Sequence, residues 1–181
     1  MFQASDSSTH SSNWSKGTLV MLKNTMIVLL YFCTAFASNP SNLPQMRMTP
    51  QEVSASVFND NPTGSSAVPG VRSKVLFGDP SKVGFYTILL LIPAHTTIQA
   101  HSHRDDRMAA VISGDWHFGY GTAFDEKSLK TLPPGSVYSE PGGVNHFART
   151  DDSPVIVQIS GYGPTDTRYF DPANDPASKK N

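Results

Sequence analysis

From Val71 onward the chain is a series of short apolar stretches, each stopped by a turn signal. Val75-Leu76-Phe77 ends at Gly78-Asp79-Pro80, and Phe85 to Ile92 ends at Pro93. Ala109 to Ile112 ends at Ser113-Gly114-Asp115 before Trp116 to Tyr120 resumes, and Ser128 to Leu132 ends at Pro133-Pro134-Gly135. His146-Phe147-Ala148 and Val155 to Ile159 follow. Proline lacks the N–H that a sheet interior needs, and glycine supplies the backbone freedom that turns need. With 13 glycines and 14 prolines in 181 residues, the chain favours many short strands. The spacing predicts an all-β barrel or sandwich. It also predicts a hairpin joining the Ala109 and Trp116 stretches, and leaves only Asp125 to Lys130 for a helical turn. There is no internal repeat.

Two histidines stand one residue apart in Ala100-His101-Ser102-His103. Residues i and i+2 of a strand face the same side, so His101 and His103 present two imidazoles to one point. A third, His146, follows Glu140-Pro141-Gly142-Gly143-Val144-Asn145. The two glycines allow a turn that returns its strand beside the first pair. Neutral imidazole is the commonest protein ligand for transition metals. Three ligands with an open position is the pattern of a catalytic metal site.

These residues resemble the two motifs of the cupin superfamily. The pattern G-x5-P-x-G-x2-H is matched by Gly135, Pro141, Gly143 and His146. Its companion G-x5-H-x-H-x3-E-x6-G is matched by His101, His103 and Gly114, with His95 at the glycine position and Arg107 at that of the metal-binding glutamate. The stretch Gly163 to Pro176 is similar to the end of many small single-domain cupins. The resemblance implies a cupin-type jelly-roll β-barrel over residues 71–181, a homodimer, and one divalent transition metal (Fe, Zn, Mn or Ni) held by His101, His103 and His146. Three-histidine cupin sites resemble those of some iron dioxygenases, which points to a small organic substrate. A lyase or isomerase fits the same ligands, and so does a module that binds a ligand or metal without turnover.

Arg107 is the main departure from the pattern. A guanidinium has only N–H donors and stays protonated, so it cannot ligate a cation. Either it turns outward and pairs with Asp105, Asp106 or Glu140, or it clamps an acidic substrate. Asp105 and Asp106 are read as solvated turn acids or as replacement ligands. Glu140 is read as a general base or as a surface group at a strand edge. His95 is read as a turn residue. Tyr120, Tyr138, Phe147 and Gln158 are read as barrel core or pocket wall.

Before Val71 the texture differs. Met26 to Ala37 is apolar, follows Lys23, and ends in Ala35-Phe36-Ala37. A dozen apolar residues are too few to span a bilayer, and small-x-small is a cleavage signal. Residues 1–37 are therefore read as a signal peptide, with Met21 as an alternative start, and the mature protein is expected to be secreted or periplasmic. The sole cysteine, Cys33, lies in this segment, so the mature chain would have no disulfide and no thiolate ligand. Residues 38–70, rich in Ser, Asn and Pro, read as an extended leader in which Thr49-Pro50 could cap a short helix. A formal net charge of −1 offers no electrostatic footprint for nucleic acid or an anionic membrane. The expected partner is a small molecule.

Overall fold

The computed structural model describes residues 43–60 and 63–179; the apolar segment Met26 to Ala37 and Cys33 lie outside them. A single α-helical turn, α1 (Pro50–Ser54), is capped by Thr49, whose side chain accepts from the Glu52 N–H while Glu52 reaches back to the Thr49 N–H. This reciprocal pairing satisfies two donors that a helix start leaves free. No helix among the described residues is long and apolar enough to cross a membrane.

Eleven strands follow: β1 (Asn59–Asp60), β2 (Arg72–Phe77), β3 (Gly84–Ile92), β4 (Thr97–Ser102), β5 (Arg107–Ser113), β6 (Trp116–Tyr120), β7 (Lys130–Leu132), β8 (Val137–Glu140), β9 (His146–Arg149), β10 (Val155–Gly163) and β11 (Arg168–Tyr169). They form two antiparallel sheets, ordered β1-β2-β3-β10-β5-β8 and β11-β4-β9-β6-β7. Two facing sheets between which the chain passes repeatedly make the jelly roll that the family resemblance implied, within the all-β class predicted by the turn spacing. The expected helical turn is a 3-10 turn at Glu126–Ser128.

The core lies between the sheets. Tyr86, Ile88, Leu90 and Ile92 of β3 alternate inward and meet Val111, Val157, Ile159, Phe118 and Ala148. The run Ile88 to Ile92 is uniformly apolar because the other face of this half of β3 is covered too. Leu89, with Ile156 of β10, packs under Phe58, Val53 and Leu91. The segment expected to be a loose leader thus shields part of the six-stranded sheet.

One expectation fails. The stretches around Ala109 and Trp116 do not pair as a hairpin: β5 pairs with β10 and β8, whereas β6 pairs with β9 and β7. The turn at Gly114 carries the chain from one sheet to the other. Gly114 has φ +73°, and a Cβ there would lie 2.5 Å from the Pro154 carbonyl oxygen. Both the left-handed backbone and the close approach require glycine. Gly114→Ala is expected to cost about 1–3 kcal/mol, read as a lower urea midpoint with an unchanged far-UV circular dichroism spectrum.

Candidate metal centre

His101 is on β4 and His103 lies just past its end, two residues on and on the same side. His146 opens β9 directly opposite His101 in the antiparallel register. The turn before it needs Gly143, which has φ +75°, and Gly142, where a Cβ would lie 3.0 Å from the Arg104 carbonyl oxygen. The three side chains converge as their spacing implied. Their ring centroids lie 4.4–5.1 Å apart, and one nitrogen from each falls within 4.8 Å of the others. All three residues are buried, at 5%, 1% and 2% exposure.

Each imidazole is oriented by a main-chain carbonyl. Nδ1 of His101 lies 2.8 Å from the Gln99 oxygen, Nδ1 of His103 lies 2.5 Å from the Asp166 oxygen, and Nδ1 of His146 lies 3.2 Å from the Val144 oxygen. A carbonyl only accepts, so Nδ1 carries the proton in each ring and Nε2 keeps its lone pair. Burial pushes His101 and His146 down to about 3 from the usual 6.5; His146 adds to the shift at His101, and Arg107 at His146. His103 is pushed lower still by burial and Arg107. Neutral imidazoles with an Nε2 lone pair are what a metal requires. Nε2 of His146 is buried without a hydrogen-bond partner, a polar atom left for a ligand to satisfy. The donor set fits a divalent transition metal.

Arg107 is at the first position of β5, and Glu140 faces it at the end of β8. Both are buried, at 3% and 4% exposure. Arg107 Nε donates to Glu140 Oε2 at 2.6 Å, and Nη2 also contacts that oxygen. Nη1 donates to the Gly64 carbonyl at 2.8 Å, and Nη2 lies 2.8 Å from His103 Nε2. Burial opposes the guanidinium charge, but Glu140 together with Tyr86 and Asp105 more than offsets it and raises the Arg107 pKa. The outward orientation of Arg107 is therefore wrong, although Glu140 is among the partners expected for it. The reason is parity: Arg107, Ala109 and Val111 share the buried face of β5. Nor does the guanidinium stand free to clamp a substrate, since Glu140, Gly64 and His103 already take its donors. Glu140 is not a surface group. Its oxygens lie 3.7 Å from His103 Nε2 and 3.8 Å from His146 Nε2.

Asp105 is not solvated; it is buried and accepts the Tyr86 hydroxyl at 2.7 Å. Asp106 accepts the Gly142 N–H at 2.8 Å. His95 is an exposed turn residue with φ +54°. Tyr138 lines the space beside the histidines with Phe118 and Trp116. Phe147 is core, whereas Tyr120 is exposed and Gln158 lies elsewhere. That space is a narrow, largely apolar cavity of about 20 Å³, room for roughly one water. Sequence reasoning missed Ser66, which lines the same cavity. The strap around it is tied by Arg107 to the Gly64 carbonyl, Thr167 to that of Ser65, and Tyr169 to that of Ser66. No local signal marks these contacts, because every partner is distant in sequence.

No family model matches the chain, and no curated protein matches it. Solved structures do. The polyketide cyclase RemF from Streptomyces resistomycificus aligns with a TM-score of 0.55 at 13% identity, covering 74% of this chain and 90% of that one. A cupin-superfamily sugar phosphate isomerase from Silicibacter pomeroyi gives 0.48 at 16% identity, with 66% and 76% covered. A structure described with the DMSP lyases RdDddP and RnDddQII gives 0.44 at 20%, covering 51% of this chain and 47% of that one. The likeness to RemF, at 13% identity, concerns the fold.

The depressed histidines make stability depend on pH. Between pH 6.5 and about 3 the unfolded chain takes up protons that the folded one refuses, so stability falls as the pH falls. In chelator-treated protein, His101 and His146 should each remove about 2 kcal/mol between pH 7 and pH 5. Urea titrations at the two pH values should show this loss shrinking in a His101→Gln/His146→Gln variant.

Proposed function

We propose, from the cupin fold that this chain has and the three imidazoles inside it, that the protein is a metal-dependent enzyme acting on a small organic substrate. The observation that carries the reading is the convergence of three carbonyl-oriented imidazoles, one nitrogen of each within 4.8 Å of the others, in a buried, mostly apolar space. His101, His103 and His146 would hold one divalent ion. Such an ion supplies Lewis acidity or, as iron, oxygen activation. Around it the chain excludes water with Phe118, Ile98, Ala148 and Val157, which strengthens every electrostatic interaction at the site. A three-histidine set suits a dioxygenase-like reaction, and a lyase or isomerase would use the same ligands.

The narrow cavity favours a second reading, a cupin that holds its metal or a small ligand without turnover. Metal-loaded protein that consumes oxygen with a small diketone, phenol or hydroxy acid supports the enzyme. Metal binding with no turnover across such a panel supports the binding module.

The enzyme, and the module in its metal-holding form, require the histidines to hold metal. Protein purified without a histidine tag should carry about one transition metal per chain by elemental analysis. His101→Ala/His146→Ala should lose most of it while keeping the sheet signal in circular dichroism. Stoichiometric metal in that double variant would exclude the site.

The proposal extends to export, supported by the sequence from Lys23 to Ala37. Mass spectrometry of secreted or periplasmic protein should find Ser38 as the first residue. A cytosolic chain beginning at Met1 or Met21 would count against it.

A further inference from the structure

We infer that Glu140 is a fourth protein ligand to the metal, with Arg107 as the positioning residue that aims it. This rests on the proposed three-histidine metal site and adds an anionic ligand to it.

Several observations converge on Glu140. A buried carboxylate is costly unless it is paired or bound to a cation, and this one is set among the imidazoles. Its two oxygens stand 3.8 Å from His146 Nε2 and 3.7 Å from His103 Nε2. Two ligand atoms each about 2.1 Å from one ion lie about 3.0–3.4 Å apart at right or tetrahedral angles. The atoms that already lie within 4.8 Å of one another are those of the three histidines, so a bound ion must draw the Glu140 carboxylate further in to complete the coordination sphere. The Arg107 contacts fall on Oε2, while Oε1 is the oxygen nearest the unpartnered His146 Nε2. Among the described residues Glu140 is the acid whose oxygens come within 4.0 Å of His103 and His146; Asp106 is bound to the Gly142 N–H, and Asp105 to Tyr86 through Oδ2, with Oδ1 buried and unpartnered.

Charge makes the same demand. Three neutral imidazoles beside a buried guanidinium would repel a dication. Glu140 supplies the missing negative charge, and the β5–β8 register places it opposite Arg107. Arg107 Nη2 also engages the lone pair of His103 Nε2, which a metal would take. Metal binding must break that contact, while the bond from Nε to Glu140 can persist.

The test is a double-mutant cycle on the full chain with Co(II) as probe, read by chelator competition and by the visible d–d spectrum. If Glu140 only neutralises Arg107, the uncharged pair Arg107→Gln/Glu140→Gln should bind Co(II) as tightly as the natural pair and with the same spectrum. If Glu140 is a ligand, the uncharged pair should bind at least about tenfold more weakly, with a changed spectrum. Arg107→Gln alone removes the group that aims Glu140 and should change the Co(II) spectrum even where affinity is kept. Equal affinity and an unchanged spectrum in the uncharged pair would overturn the inference. Should that pair fail to fold, the swap Arg107→Glu/Glu140→Arg keeps one carboxylate and one guanidinium in the site. Wild-type affinity and spectrum in the swap, with both altered in Glu140→Gln, supports ligation; an unaltered Co(II) spectrum in Glu140→Gln overturns it. Co(II) binding that survives His101→Ala, or no binding by the natural protein, removes the three-histidine reading itself.

Discussion

The buried ion pair between Arg107 and Glu140 is the constraint around which the site is arranged. Taking two charges out of water costs several kcal/mol per ion, and only close, hydrogen-bonded geometry repays it. That geometry comes from facing positions on β5 and β8, so the sheet register and the ion pair depend on each other. The guanidinium then spends its remaining donors on the Gly64 carbonyl and on His103. A single side chain joins the six-stranded sheet, the strap and a candidate metal ligand.

His101 and His146 line one cavity with this pair and the apolar interior. Their neutrality is a consequence of burial, and burial is supplied by the same inward residues that hold the sheets together. A site of this kind has no separate scaffold. The packing that stabilises the jelly roll also sets the protonation state of the imidazoles.

Much of this was legible from the residues. Period-two spacing put His101 and His103 together, and the Pro-Gly-Gly turn returned His146, because both signals are local. The strands were legible because turn residues stop each one. The path between β5 and β6 was not, since Ser113-Gly114-Asp115 reads alike for a hairpin and for a crossing between sheets. Nor was the facing of Arg107. Met108 and Ile112 are apolar yet substantially exposed, so the β5 pattern does not announce which parity is inward. The strap was hidden for a different reason. Serine and proline composition suggests loose chain, and what orders Gly64 to Ser66 is side chains 43 to 103 residues away.

The imidazoles are aimed by the carbonyls of Gln99, Asp166 and Val144, and every amino acid carries a carbonyl. Ordinary point substitution at those three positions leaves the orienting oxygens in place. The orienting layer is written in the path of the chain and not in its side chains, so it is insensitive to residue identity. It is exposed instead to insertions and deletions: one residue gained or lost between Gln99 and His101, or between Val144 and His146, would move the acceptor without changing any ligand. Relatives of this protein could thus differ widely in composition around the site and still hold the same tautomers, provided that the lengths of these short segments are kept.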